Sequence, residues 1–259
     1  MGHQHLGTLP RSRMWRDVVD LIGGGADVRD IAAATSAAAE QQFMKSGDDP
    51  GLKRAVWLLT QIPLAARHER FGSALRTLGV NVSDGPSLVE IATALSGALD
   101  QHLQRTGGQT DLSEMAQLSL VESLSAIAGR ELEGLFVATA EETRLALSGL
   151  ATVQQFSVLA RDFFSRLARH HINYFLSREL SNHVGVNSRF RTLREHSAFD
   201  RALDLHCRET SRIIKEFSGE WFSKQTYLGG IDESKAGRFA HVAFKKLRDE
   251  LRHRRGAYA

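Results

Sequence analysis

The stretch that decides the fold is residues 152–185, TVQQFSVLARDFFSRLARHHINYFLSRELSNHVG. Its mainly apolar positions alternate spacings of three and four residues through Val153, Phe156, Ala160, Phe163, Leu167, His171 and Tyr174. This period is typical of an α-helix with one apolar face. The pattern therefore predicts one long helix from Thr152 to His183, which ends at Gly185 because glycine favours a helix C-terminus.

The remainder of the chain carries helix start signals and helical spacing throughout. Asp27 is the predicted N-cap of an Ala-rich helix, and Asp49 precedes Pro50, a residue favoured in the first helical turn. Apolar stripes predict further helices over residues 87–105, 197–217 and 234–254. No segment alternates as a half-buried strand does. The sequence therefore predicts an all-α, multi-helix protein.

Charged and aromatic residues divide unevenly at Leu150. Residues 1–150 contain 13 Lys+Arg and 18 Asp+Glu, whereas residues 151–259 contain 20 and 12, so the halves carry net charges of −5 and +8. The second half also holds 14 of the 19 aromatic residues. This asymmetry predicts two helical subdomains. Residues 1–150 form an acidic, Ala/Leu-rich subdomain, and residues 151–259 form a basic, aromatic-rich one built around the long helix. The alternative is one domain with two different faces.

Composition excludes several classes of protein. The only cysteine, Cys207, cannot form an internal disulfide, so a secreted disulfide scaffold is excluded and a cytoplasmic location is expected. No apolar stretch is long enough to span a bilayer, and the first residues lack the apolar core of an export signal. Nucleotide-binding loops are missing, and His206-Cys207 lacks the spacing that directs two ligands at one metal ion. We therefore expect no cofactor, no metal and no membrane contact.

An Arg followed five positions later by a His recurs in the second half. The pairs are Arg166/His171, Arg178/His183, Arg191/His196, Arg201/His206 and Arg248/His253. Arg178 and His183 fall at the predicted end of the long helix, just before Gly185.

With this motif the chain resembles the HEPN superfamily, all-helical nucleotide-acting domains marked by Arg, four to six residues and then His near a helix end. In that family the two residues cooperate in metal-independent RNA cleavage, usually across a dimer interface. The resemblance implies that His183 takes the 2′-hydroxyl proton, Arg178 stabilises the phosphate in the transition state and Asn182 is a polar helper. Glu179 departs from the Asn, Asp or His usual after the Arg. The alternative is that His183 caps helix-terminal carbonyls and Arg178 is a surface residue.

Positive charge is concentrated in the last predicted helix. Six basic residues fall within eleven positions, namely Lys245, Lys246, Arg248, Arg252, Arg254 and Arg255. Such a run can hold the phosphates of RNA or DNA, with a strong dependence on salt. The alternative is a solvated helix face, since Asp249 and Glu250 belong to the same run.

The chain begins with Met1 and Gly2, and removal of Met1 would expose Gly2. This start resembles small accessory proteins of bacterial anti-phage operons, such as QatB-like proteins, in which an N-terminal glycine is modified by a QueC-like enzyme. The resemblance implies a bacterial origin, an anti-phage setting and Gly2 as a modification site.

We therefore predict a non-enzymatic component of a bacterial multi-protein system, which acts through contacts with a protein partner and with nucleic acid. The oppositely charged halves favour docking to such a partner, or self-association into a homo-oligomer. Two alternatives stay open. One is a HEPN-like ribonuclease that uses Arg178 and His183, and the other is a nucleic-acid-binding protein that uses the basic C-terminal helices.

Overall fold

The computed structural model describes residues 12–39, 48–132, 138–186 and 188–256, with side chains as far as Leu251. Within these ranges eleven α-helices form: α1 (Arg13–Gly23), α2 (Val28–Ala38), α3 (Pro50–Ala65), α4 (Phe71–Thr77), α5 (Leu88–Thr106), α6 (Asp111–Glu131), α7 (Ala140–Gly149), α8 (Val153–Leu180), α9 (Leu193–Thr210), α10 (Arg212–Tyr227) and α11 (Glu233–Gly256). The described residues form no strand, only an isolated bridge between Val184 and Phe190. The predicted all-α class is confirmed. In the same ranges, no helix has the length and hydropathy that crossing a membrane requires.

The predicted long helix is confirmed in its extent. The Thr152 side chain accepts a hydrogen bond from the Gln155 amide at 3.2 Å, and helix α8 follows. A short 3-10 turn (Ser181–His183) extends the helix, and Gly185 then adopts a φ of 141°.

The helix predicted over residues 197–217 is wrong at both ends. Helix α9 begins earlier, because the Thr192 hydroxyl accepts a hydrogen bond from the Glu195 amide and caps it. It ends at Thr210, and α10 begins at Arg212, so Ser211 separates two helices. Ser211 has ψ of −2°, and its hydroxyl donates to the Arg208 carbonyl at 2.9 Å. This local bond turns the chain where the apolar spacing alone continues.

Helix α8 lies at the centre of the molecule, with neighbours on several sides. Phe156 stacks on Phe222 of α10, with ring centres 4.0 Å apart. Near the other end, Phe175 lies 4.6 Å from the indole of Trp15 in α1. Between them, Phe164 contacts two phenylalanines of α11 edge-on. A helix that is apolar on more than one face has to be buried, and these contacts bury it.

The hydrophobic core continues across residue 150. Helix α6 packs on α8, and α11 packs on α2 and α3, so both halves of the chain line the same core. Arg54 of α3 forms an ion pair with Glu233 of α11 at 2.7 Å, and the indole of Trp57 donates to the Ile231 carbonyl at 2.9 Å. Separate tasks for residues 1–150 and 151–259 stay a prediction.

Close packing of α10 on α8 depends on a glycine. A Cβ atom added at Gly219 would overlap the carbonyl oxygen of Val153 and lie 3.0 Å from its Cγ1. Since that oxygen belongs to the backbone, it cannot be displaced by a change of rotamer. Helix α10 or the start of α8 would have to move.

We expect Gly219→Ala to lower the free energy of unfolding by about 1–3 kcal/mol, the usual cost of overpacking. Helix propensity alone predicts the opposite sign, because it favours alanine over glycine by about 1 kcal/mol. The matched control is Gly97→Ala in α5, where a Cβ meets no described atom within 4 Å. Urea denaturation, monitored by circular dichroism, measures the free energy of unfolding of both variants. Stabilisation of both variants would contradict the close contact.

His171 lies in the middle of α8 and is almost completely buried. Its imidazole contacts the Phe175 ring edge-on, with ring centres 5.2 Å apart. Burial lowers the pKa of His171 from its ordinary 6.5 to about 3. The folded protein therefore holds this imidazole neutral, whereas the unfolded chain protonates it below about pH 6.5.

The unfolded chain binds this proton and the folded protein does not, so stability falls as pH falls below 6.5. The expected slope is up to about 1.4 kcal/mol per pH unit. We predict that His171→Gln reduces the decline in unfolding free energy between pH 7.5 and 5, measured by urea denaturation. His241→Gln, at an exposed position of α11, is the control. An equal decline in wild type and His171→Gln would show that the folded protein accepts the proton.

Candidate functional site

One face of α9 is exposed along the whole helix and carries basic side chains. Arg194, Ala198, Arg201, Leu205 and Arg208 follow one another at spacings of four and three residues, so they form one row. All five are exposed, and the row contains no acidic residue. We call these five residues the α9 stripe.

The position of the α9 stripe follows from the residues that α9 buries. Phe199, Leu203, His206 and Cys207 lie on the opposite face of the helix and are buried. That face packs against α8 and α2. At a rise of about 1.5 Å per residue, the arginines at the two ends of the stripe are separated by about 21 Å along the helix axis.

Two further arginines meet the C-terminal end of the α9 stripe. Arg161 of α8 donates from Nη2 to the carbonyl oxygen of Arg208 at 2.8 Å, and Arg212 is the first residue of α10. Burial lowers the pKa of Arg161, and the positive charges of Arg212 and Arg208 lower it further, while Asp162 opposes them. We call Arg161, Arg208 and Arg212 the arginine cluster.

The acidic residues beside the arginine cluster are already engaged. Asp162 pairs with Arg166 at 2.6 Å. Asp204 pairs with Arg169 at 3.1 Å and with Nε of Arg208 at 2.9 Å. Asp162 is therefore held by an arginine outside the cluster, and Asp204 is shared between Arg169 and Arg208.

The basic residues predicted in the last helix have different environments. Lys245 and Lys246 are exposed, and the Lys246 ammonium lies 5.5 Å from the ring centre of Phe217. The Arg248 side chain is only 15% exposed and pairs with Asp249 at 3.0 Å. The side chains of three residues lie outside the described part of the chain, namely Arg252, Arg254 and Arg255.

The residues of the HEPN-like motif are held by different neighbours. The Arg178 guanidinium lies over the Tyr174 ring, 4.2 Å from its centre. His183 Nε2 lies 3.3 Å from a carboxylate oxygen of Glu179, and Asn182 is exposed in the short turn. The contact with Glu179 and the stacking on Tyr174 place both side chains at the C-terminal end of α8. A catalytic role for the motif stays a prediction.

A groove of about 460 Å³ lies between α8 and α9, on a side of α9 that the α9 stripe does not line. Polar side chains of both helices line it, including Arg169, Asn173, Ser177, His196 and Asp200. His196 Nδ1 lies 3.4 Å from a carboxylate oxygen of Asp200. The groove therefore offers hydrogen-bonding groups between the two helices, away from the α9 stripe.

The Cys207 side chain is buried. Burial raises the pKa of the Cys207 thiol to about 12, so no thiolate forms near neutral pH. In the part of the chain that the structure describes, no three His, Cys, Asp or Glu side chains group as metal ligands do. Gly2 lies outside the described residues.

Sequence reasoning missed the α9 stripe because it predicted a helix over 197–217 and so left out Arg194. The signal was present as the seven-residue spacing of Arg194, Arg201 and Arg208, which is two helical turns. The arginine cluster has no such signal, since Arg161 lies 47 positions before Arg208.

Comparison with protein-family models, with curated proteins and with solved structures finds no match to this chain. Its function is therefore inferred from its own residues.

Proposed function

We propose that the protein is a non-enzymatic helical component of a larger assembly and that its second half binds nucleic acid. The observation that carries the proposal is the α9 stripe, an exposed row of arginines without an acidic member. Its C-terminal end continues into the arginine cluster.

The chemistry of the α9 stripe suits a phosphate backbone. Arginine presents a planar fork of donors that matches phosphate oxygens, and nucleic acid offers phosphates at regular intervals. Arg194 and Arg201 form no ion pair within the described part of the chain, so binding does not first have to break one. The side chains between the arginines, Ala198 and Leu205, cannot form hydrogen bonds with base edges. We therefore expect binding with little preference for sequence.

Two buried groups of the second half are unsuited to proton transfer, which is consistent with the proposed non-enzymatic role. The Cys207 thiol is buried, and its pKa is raised to about 12. The His171 imidazole is buried, and its pKa is lowered to about 3. Neither group can exchange a proton with a substrate near neutral pH.

Membership of an assembly is supported by the opposite charges of the two halves. Residues 1–150 carry a net charge of −5, opposite in sign to the +8 of residues 151–259. Charge of one sign steers a partner of the other sign into contact.

The first test is the affinity of the double variant Arg194→Gln/Arg201→Gln for a short fluorescent duplex. We expect weaker binding for every duplex sequence. The slope of log Kd against log salt should fall by about 2, because one counterion-releasing contact is lost with each arginine. Fluorescence anisotropy at several salt concentrations measures both quantities.

The matched control for this test is Arg105→Gln/Arg130→Gln, which removes the same charge from exposed positions of α5 and α6. An equal loss of affinity in both double variants would show that only the net charge of the protein matters. That result would contradict a specific role for the α9 stripe. The same mixtures on denaturing gels, with labelled RNA, report cleavage. We expect intact RNA. Cleavage that His183→Ala abolishes would replace the proposal with the ribonuclease alternative.

The assembly is tested by recovering the tagged protein from its native cells at low and then high salt. We expect nucleic acid to be released at high salt, because its binding is electrostatic, and a protein partner to be retained. Mass spectrometry and nucleic-acid sequencing identify what is bound. Recovery of nucleic acid alone would limit the proposal to nucleic-acid binding.

A further inference from the structure

The arginine cluster is built from three helices that meet at one point. Arg161 comes from α8, Arg208 from the last turn of α9 and Arg212 from the first turn of α10. The carbonyl oxygen of Arg208 accepts two hydrogen bonds here, from Arg161 Nη2 at 2.8 Å and from the Ser211 hydroxyl at 2.9 Å. Ser211 is fully buried. These hydrogen bonds to the backbone hold the junction of the three helices, from which the three arginine side chains extend.

Two of the three guanidinium groups extend into solvent. The Arg208 side chain is 51% exposed, and only its Nε is occupied, by Asp204. Arg212 is exposed, and over the described ranges it forms no ion pair, not even with Glu216 one turn further on. Arg161 uses Nη2 for the Arg208 carbonyl. Each of the three groups thus keeps N–H donors that the described residues do not use.

Arg161, Arg208 and Arg212 bring like charges to one helix junction, and like charges repel one another unless an anion joins them. Two nearby carboxylates are already engaged, since Asp162 is held by Arg166 and Asp204 is shared between Arg169 and Arg208, and Glu209 follows Arg208 as a third acidic residue. An anion with several oxygens can accept hydrogen bonds from more than one guanidinium at once. Phosphate has this geometry, and arginine binds it through two parallel hydrogen bonds.

We propose that the arginine cluster holds one backbone phosphate of the bound nucleic acid and so anchors it at the C-terminal end of the α9 stripe. The inference rests on the proposed function, because nucleic acid supplies the phosphate. It adds a residue from another helix, Arg161, to the binding surface. Free phosphate shares the same chemistry, so the experiment has to separate the two sources.

Two variants of Arg161 distinguish a hydrogen-bonded phosphate contact from a general attraction by positive charge. Arg161→Gln removes both the charge and the fork, whereas Arg161→Lys keeps the charge and removes the fork. We expect Arg161→Gln to weaken duplex binding about tenfold and to lower the salt slope by about 1. Arg161→Lys should have the salt slope of the wild type but not its affinity for the duplex. Arg194→Gln, at the far end of the stripe, should lower the slope equally with a smaller loss of affinity.

Anisotropy with the same fluorescent duplex measures these values, and thermal unfolding checks that each variant is folded. A second arm uses inorganic phosphate at constant ionic strength and follows the arginine Nε–H resonances by NMR. We expect phosphate to shift the resonances of Arg208 and Arg212 in wild type and much less in Arg161→Gln.

The outcomes separate this inference from the proposed function. If Arg194→Gln/Arg201→Gln weakens duplex binding and Arg161→Gln leaves it unchanged, the anchor is wrong and nucleic-acid binding stands. If phosphate shifts the cluster resonances while no duplex binds, the cluster is a site for free phosphate, and both proposals are wrong about the source. Full affinity in Arg161→Lys would show that charge alone acts and would overturn the anchor.

Discussion

Burial of α8 is the constraint on which the rest of the structure depends. Its 28 residues bear aromatic side chains on several sides, and a helix of that kind is stable in water only when other helices surround it. Phe156 requires α10, Phe164 requires α11 and Phe175 requires α1. Because α11 also packs on α3, the acidic half of the chain is joined to the same core.

The exposed surface of α9 is a consequence of that burial. Helix α9 contributes one apolar face to α8 and α2, and its remaining surface is left to solvent. Since its arginines recur every seven residues, opposite Leu203 and Cys207, they all point outward. The α9 stripe is therefore the part of the helix surface that the core does not cover. Packing against α8 also brings Arg161 to the end of α9, so the proposed binding surface draws residues from three helices.

The arginines of the second half differ in whether they form ion pairs. Its net charge of +8 is spread over many residues, and local ion pairs cancel much of it. Arg166, Arg169 and Arg248 are engaged in such pairs. Within the described residues Arg194, Arg201 and Arg212 form no such pair, and they all lie along α9 and the start of α10. Helix α9 also carries four acidic residues, so its arginines form an exposed row on a helix without net positive charge.

The sequence by itself determined the helical class, the extent of α8 and the cap at Asp49, because the helical period and capping depend on residues within a few positions of one another. It also contained the spacing of the α9 stripe. Only the tertiary structure decided the meeting of Arg161 with Arg208 and Arg212. It depends on a backbone carbonyl that accepts a hydrogen bond from a side chain 47 residues away. Contacts of that separation leave no periodic trace in the chain, since they arise from how the helices pack.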